Sequence, residues 1–167
     1  MKNRILLALI VSIGLSSAYS QSINREISIV NFSISNMKFK TVNGTFKEME
    51  GVINFDVADL ESSSMDVCIS SSSVDTDNKK RDQHLRTEDF FDSEKYPEIC
   101  FKSTSIKQSE NNFIAIGELS MHGVTKSVKI PFSFQDNTFN GSFTINRKDF
   151  GVGGNGTFMV GNEVLLT

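Results

Sequence analysis

The sequence contains no tryptophan and only two residues each of cysteine, histidine, proline and tyrosine. The histidines, His84 and His122, form neither an H-x-H nor an H-E-x-x-H pattern, and a zinc site needs three or four protein ligands. A G-x-S-x-G nucleophile motif and a Cys–His pair are also missing. We therefore expect no enzyme activity, no metal site and no cofactor. Each of the two histidines is expected to make a structural hydrogen bond.

A clustered positive surface is missing as well. The formal net charge is −3, and the one basic run, residues 79–81, is surrounded by Asp75, Asp77 and Asp82. Binding to a phosphate backbone requires clustered Lys and Arg side chains. The charge pattern thus predicts that nucleic acid is not a partner.

A hydrophobic run long enough to span a bilayer is not present at the N-terminus. Residues 5–15 are mostly apolar, but a spanning helix needs about 20 such residues. Lys2 and Arg4 precede this run, and Ala18 and Ser20 occupy the −3 and −1 positions of a signal-peptidase site. The arrangement is typical of a cleaved secretory signal peptide, with an uncleaved anchor as the alternative.

This interpretation divides the chain into a signal peptide over residues 1–20 and one mature domain over residues 21–167. The mature domain is long enough for one hydrophobic core. Its net charge would be −5, because the signal peptide carries Lys2 and Arg4. No cysteine follows the cleavage site directly, so we expect a periplasmic or secreted protein without a stable membrane anchor.

The two cysteines, Cys68 and Cys100, lie in two strand-like runs, on the face opposite the larger apolar residues. In an oxidising compartment an even pair favours a disulfide, with two free thiols as the alternative. Two cysteines supply neither a C-x-x-C motif nor a zinc site of their own.

Alternation of apolar and polar residues dominates the mature chain, as in residues 128–135 and 139–146. This period of two is typical of antiparallel strands with one buried face. Asn43-Gly44, Glu50-Gly51 and Asp136-Asn137 are predicted turns. Eight strands are predicted, enough to close a barrel, with a sandwich as the alternative; they cover about residues 23–37, 45–57, 64–73, 98–106, 112–121, 124–134, 138–147 and 157–166.

Residues 75–97 interrupt the alternation with a charged segment that is poor in β-forming residues. Asp77 or Asn78 is expected to cap a short helix that runs through Leu85. Pro97 ends helical structure and returns the chain to an extended course. An insertion of this length is predicted to be either a lid or a plug at one end of a barrel.

This insertion and two later segments resemble the YceI family of exported bacterial proteins. The similar segments are R-D-Q-H-L-R-T-E-D-F-F-D at residues 81–92, G-E-L-S-M-H-G-V-T-K at residues 117–126 and I-N-R-K-D-F-G-V at residues 145–152. They occur in the family's order and span most of the mature chain. The departures are small: Asn36 stands where many members have His, and Ser120 replaces the commoner Thr.

The resemblance implies an all-β, eight-stranded antiparallel lipocalin-like barrel with a short helical insertion. It implies non-catalytic binding, transport or storage of a long apolar isoprenoid lipid, such as an isoprenoid quinone or a polyprenyl phosphate. Some members form homodimers, so a homodimer stays open. The alternative is a stress-related interaction protein whose barrel is filled by side chains and holds no lipid.

The sequence contains 14 phenylalanines, and many of them lie on the apolar face of a predicted strand. In a small barrel such side chains either fill the core or line a tunnel. The residues that we expect to line the tunnel are Val30, Phe32, Ile34, Phe55, Phe101, Leu119, Phe132, Phe134, Phe143 and Ile145.

Three arginines are candidates for contact with a polar head group at the tunnel mouth: Arg81, Arg86 and Arg147. Arginine forms paired hydrogen bonds with phosphate or carbonyl oxygens. The alternative is that these side chains fix the insertion to the barrel through ion pairs and helix caps.

Overall fold

The computed structural model describes residues 20–36, 40–154 and 159–167, with only the backbone described at residues 20–22. The part of the predicted signal peptide before Ser20 lies outside these ranges. Within them, the structure contains no helix that is long and apolar enough to cross a membrane.

The described ranges contain eleven strands, one α-helix and two short 3-10 helices. The helix α1 is Lys79–Leu85, and the 3-10 helices are Ser71–Ser73 and Arg147–Phe150. The strands are β1 Ser20–Ser22, β2 Val30–Asn36, β3 Lys40–Phe46, β4 Glu50–Asn54, β5 Ser64–Ser70, β6 Glu98–Ser109, β7 Asn112–Met121, β8 Val124–Gln135, β9 Thr138–Gly141, β10 Phe143–Asn146 and β11 Val160–Leu166.

The strands form two antiparallel sheets. One has the order β1-β4-β5-β6-β7-β8-β9, and the other has the order β10-β11-β2-β3. Only Ser142 separates β9 from β10, so the chain bends there from one sheet into the other. The curled sheets form a half-barrel, which confirms the predicted all-β, lipocalin-like class.

The predicted strands over 98–106, 112–121 and 124–134 match β6, β7 and β8 closely, whereas the predicted strand over 138–147 is divided at Ser142 into β9 and β10, and the boundaries near β2, β3 and β4 are wrong. The predicted Asn43-Gly44 turn lies inside β3, and the predicted Glu50-Gly51 turn lies inside β4. The break falls instead around Glu48, whose φ is 60°. Gly44 serves close packing, because a Cβ there would overlap the ring of Phe32.

The insertion begins with the predicted helix. The Asn78 side chain caps α1 by accepting a hydrogen bond from the Arg81 amide at 3.1 Å, so one of the two predicted caps is confirmed. Asp82 is buried and accepts hydrogen bonds from both the amide and the hydroxyl of Thr76. These bonds hold the helix against the segment that precedes it.

Strands β5 and β6 carry the two cysteines at directly opposite positions. The structure joins Cys68 to Cys100 in a disulfide, with 4.1 Å between their Cα atoms. Of the two alternatives that the sequence left open, the structure therefore contains the bonded pair.

Candidate functional site

A cavity of about 1170 Å³ lies between the two sheets. Ligand sites for small molecules usually measure about 300–1000 Å³, so the volume of this cavity exceeds that range. Its walls come from both sheets and from the helical insertion.

The wall from the smaller sheet is a row of branched apolar side chains. Ile145 of β10 lies opposite Val164 of β11, which lies opposite Ile34 of β2, which in turn lies opposite Val42 of β3. All four line the cavity. Because side chains alternate along a strand, one register places the whole row on the same face.

The wall from the larger sheet is built in the same way. Val67 of β5 lies opposite Phe101 of β6, and Phe101 lies opposite Leu119 of β7. These three residues line the cavity too. Gly117 allows the close packing of this wall, because a Cβ there would approach the Phe101 ring to 2.8 Å.

Eight of the ten residues expected to line a tunnel border the cavity: Val30, Phe32, Ile34, Phe101, Leu119, Phe132, Phe143 and Ile145. Phe55 and Phe134 do not border it. Their ring centroids lie 5.1 Å apart within an aromatic cluster that also contains Phe113 and Phe139. Alternation indicates which strand face is buried, but not whether a side chain on that face meets a cavity or other side chains.

Two of the three candidate arginines belong to the insertion and bind the chain itself. Arg81 borders the cavity, and its guanidinium donates to the hydroxyl and the carbonyl oxygen of Thr76, each at 2.7 Å. Arg86 does not border the cavity and donates to the carbonyls of Ser72 and Val74 at 2.7 and 2.8 Å. The Arg81 contacts lie within the insertion, whereas the Arg86 contacts join the insertion to the segment that follows β5.

The third arginine, Arg147, borders the cavity and is only 4 % exposed. Its Nε donates to the Gly161 carbonyl at 2.7 Å, and its terminal nitrogens donate to the carbonyls of Val152, Gly153 and Val160. Burial lowers the pKa of the Arg147 guanidinium, because desolvation penalises its charged form. The hydrogen bonds from Arg147 to the carbonyl oxygens offset that penalty and link β11 to the segment that follows β10.

Neutral and exposed residues mark where the cavity reaches solvent. Ile27 is 75 % exposed and Ile29 is 46 % exposed, and both border the cavity. Exposed Asn31, Thr138 and Asn140 also border it. The sequence analysis did not predict this mouth, because residues 23–29 were assigned to a strand. Ile27 and Ile29, two apolar residues among polar neighbours, were the available sign of an exposed apolar surface there.

Both histidines make hydrogen bonds of the kind expected from the sequence. His84 borders the cavity, and its Nε2 lies 3.3 Å from an Asp89 carboxylate oxygen. His122 is in the turn between β7 and β8 with a φ of 52°, and its Nδ1 lies 3.2 Å from the Phe150 carbonyl oxygen. The two rings are held by different segments and share no partner in these bonds.

Comparison with known proteins agrees with this architecture. A family described as YceI-like domain matches residues 22–167. A UPF0312 protein of Pseudomonas syringae pv. syringae (strain B728a) is 35% identical over 160 residues, which cover 88% of this chain and 83% of the relative.

Solved structures share the fold. The crystal structure of Burkholderia cenocepacia BcnA matches with a TM-score of 0.77 and 25% identity, over 83% of this chain and 92% of that one. A polyisoprenoid binding domain from Saccharophagus degradans matches with a TM-score of 0.64 and 14% identity, over 87% of this chain and 92% of that one. At 14% identity this second likeness shows the fold alone.

Proposed function

This chain belongs to the YceI-like family, and we propose that it binds a long isoprenoid lipid in its cavity without transforming it. The observation that carries the proposal is the cavity of about 1170 Å³ with apolar walls from both sheets. The polyisoprenoid binding domain with the same fold supports the choice of lipid.

The apolar walls suit a branched hydrocarbon tail. Each buried CH₂ group contributes about 0.8 kcal/mol, so a long prenyl chain would bind with few polar contacts. The branched rows, such as Val164 and Ile34, would pack against the methyl branches of the isoprene units. Tail length would then be selected by the length of the cavity, and the head group by the mouth.

The arginine contacts favour an uncharged head group over a phosphate. A phosphate is held best by charge-assisted donors directed at it. Arg81 and Arg147 direct donors at oxygens of the chain itself, and Arg86 lies away from the cavity. We therefore favour an isoprenoid quinone over a polyprenyl phosphate.

The same proposal gives the protein the role of a carrier or store outside the cytoplasm. Lipids of this kind are poorly soluble in water, and apolar walls on both sides of the cavity would remove most of the tail from contact with solvent. The predicted signal peptide over residues 1–20 supports an exported location. The alternative of a barrel filled by side chains is disfavoured by the cavity itself.

A pair of neighbouring substitutions on β11 tests the proposal. Val164 lines the cavity, whereas Leu165 is 45 % exposed and does not border it. Val164→Trp places a large ring inside the cavity, where it displaces part of the lipid tail. Loss of about two buried CH₂ groups costs about 1.6 kcal/mol. We therefore expect the affinity for a long-tailed ubiquinone to fall by about tenfold or more. Leu165→Trp is the matched control and should bind like the unmodified protein.

The measurement is a fluorescence or calorimetric titration of each purified protein with the quinone delivered in detergent. Circular dichroism establishes that both variants are folded. Equal affinity for the two variants, or no binding by the unmodified protein, would refute a cavity-bound quinone.

A further inference from the structure

A cluster of three potential metal ligands lies on the outer face of the larger sheet. Cys68 and Cys100 face each other across β5 and β6, and Glu98 lies two residues before Cys100 on the same face of β6. The two sulfurs and a carboxylate oxygen of Glu98 all lie within 4.8 Å of one another. The neighbouring cross-strand pair on this face, Asp66 and Lys102, is exposed and ion-paired at 3.3 Å.

We propose that reduction of the disulfide converts this cluster into a zinc site formed by Cys68, Cys100 and Glu98. Two thiolates and one carboxylate are three protein ligands of the type that Zn²⁺ prefers, and water takes the fourth position. The oxidised form has no thiolate to offer, so the disulfide and the metal site exclude each other.

The chemistry balances with a dithiol as the reductant. The dithiol gives two electrons and two protons to the Cys68–Cys100 bond and becomes a disulfide itself, which leaves two thiols on the protein. Zinc then displaces one proton from each thiol as the two Zn–S bonds form.

The strand geometry permits the three bonds without a change of register. Two sulfurs at about 2.3 Å from a tetrahedral zinc lie about 3.8 Å apart. Directly opposite cross-strand residues have Cβ atoms about 4.5–5.5 Å apart, so rotation of the two thiols about χ1 reaches this separation. The carboxylate of Glu98 is already within 4.8 Å of both sulfurs.

The surrounding charges favour Glu98 as the third ligand. Glu50 lies opposite Cys68 on the other side, but Arg25 holds its carboxylate in an ion pair. Glu98 makes no ion pair with any of the residues that the structure describes. Its carboxylate can therefore turn toward the sulfurs without breaking another contact.

Metal titration of the full mature chain tests the proposal. The protein is reduced with a phosphine, which takes up the oxygen of one water as the disulfide receives two protons, and the phosphine is then removed under anaerobic conditions. Zn²⁺ is titrated against a chromophoric chelator, and Cd²⁺ is added separately to observe the thiolate-to-metal absorption band. We expect one tightly bound metal ion per reduced chain and none per oxidised chain.

Two glutamate variants distinguish a zinc site of three ligands from zinc binding by the two cysteines alone. Glu98→Gln should weaken zinc binding by about tenfold or more, since even an outer-shell change at a metal site costs about 10–100-fold. Glu50→Gln is the matched control and should bind zinc like the unmodified protein. Circular dichroism of the reduced chain reports whether the sheet persists.

Three results would overturn the proposal. The first is zinc binding by the reduced protein that is no tighter than binding by a Cys68→Ser, Cys100→Ser double variant. The second is equal binding by the Glu98→Gln and Glu50→Gln variants. The third is loss of the sheet on reduction, because the site depends on paired strands. None of these results bears on the lipid proposal, which rests on the apolar side chains of the opposite face; of the three ligands, Cys68 also borders the cavity, and Glu98 and Cys100 do not.

Discussion

Arg147 shows how a charged side chain can belong to the interior of this protein. Its guanidinium is 4 % exposed and donates to carbonyls on both sides of residues 155–158, which lie outside the described ranges. Arginine suits this position because its planar fork presents several donors in fixed directions. Arg147 borders the cavity and links two segments near it through these hydrogen bonds, whether or not a ligand is bound.

Replacing Arg147 should cost more stability than replacing any exposed cation. Arg147→Met leaves buried carbonyls without their donors, and each unsatisfied group costs about 1–3 kcal/mol. We expect the free energy of unfolding to fall by about 3 kcal/mol or more, measured by urea denaturation. Lys107→Met, which removes an exposed charge from β6, should change it by less than about 0.5 kcal/mol.

Arg147→Lys extends the test. Lysine keeps the positive charge but cannot donate in the same fork, so it should recover only a small part of the lost stability. A lysine variant as stable as the unmodified protein would show that charge alone, and not the carbonyl contacts, is what the site requires.

At the scale of elements, the strands and the helix that depend on a local sequence pattern were predicted correctly. The alternation in residues 128–135 sufficed for β8, and Asn78 followed by a polar run sufficed for α1. The glycines at 44 and 51 were misassigned because their role is set by strands distant in the sequence. Gly51 has a φ of 128°, and a Cβ there would overlap the Asp66 carbonyl of the neighbouring strand.

The candidate site was predictable in the same partial way. Strand alternation identified side chains on buried faces, and eight of the ten chosen residues border the cavity. Whether a buried face meets a cavity or another ring depends on how the two sheets curl past each other, which no local pattern encodes. Phe55 and Phe134 pack against each other in the aromatic cluster and do not border the cavity.

The disulfide links β5 to β6 and closes a loop that contains the whole helical insertion. Its cysteines are 32 residues apart in the sequence, and a cross-link over a loop of this length stabilises a fold by about 3–4 kcal/mol in the chain-entropy treatment. We expect a Cys68→Ser, Cys100→Ser double variant to lose about that much free energy of unfolding, measured by chemical denaturation.

The single variants provide the control for this prediction. Each single substitution also breaks the cross-link, so Cys68→Ser alone should cost nearly as much as the double variant. Losses that simply add would mean that packing of the two side chains, and not the cross-link, stabilises the sheet. Lipid affinity should change much less in all three variants than in Val164→Trp, because the cysteines share the strand face that carries the exposed pair Asp66 and Lys102, although Cys68 also borders the cavity.

For the whole molecule, the arrangement of two curled sheets around one cavity determines what the protein can do. Apolar rows face inward from both sheets, and neutral residues near Ile27 surround the mouth. The charged insertion is held by hydrogen bonds such as those from Arg86 to Ser72 and Val74. This distribution is suited to holding an apolar molecule, and it gives the proposed carrier role its physical basis.

Extraction of the native protein with organic solvent, followed by mass spectrometry, tests the binding of an isoprenoid quinone most directly. We expect a lipid built from repeated isoprene units, with a quinone head group, in the unmodified protein and in Leu165→Trp, and much less of it in Val164→Trp. A native protein that yields no isoprenoid lipid and also fails to bind a long-tailed ubiquinone would contradict it.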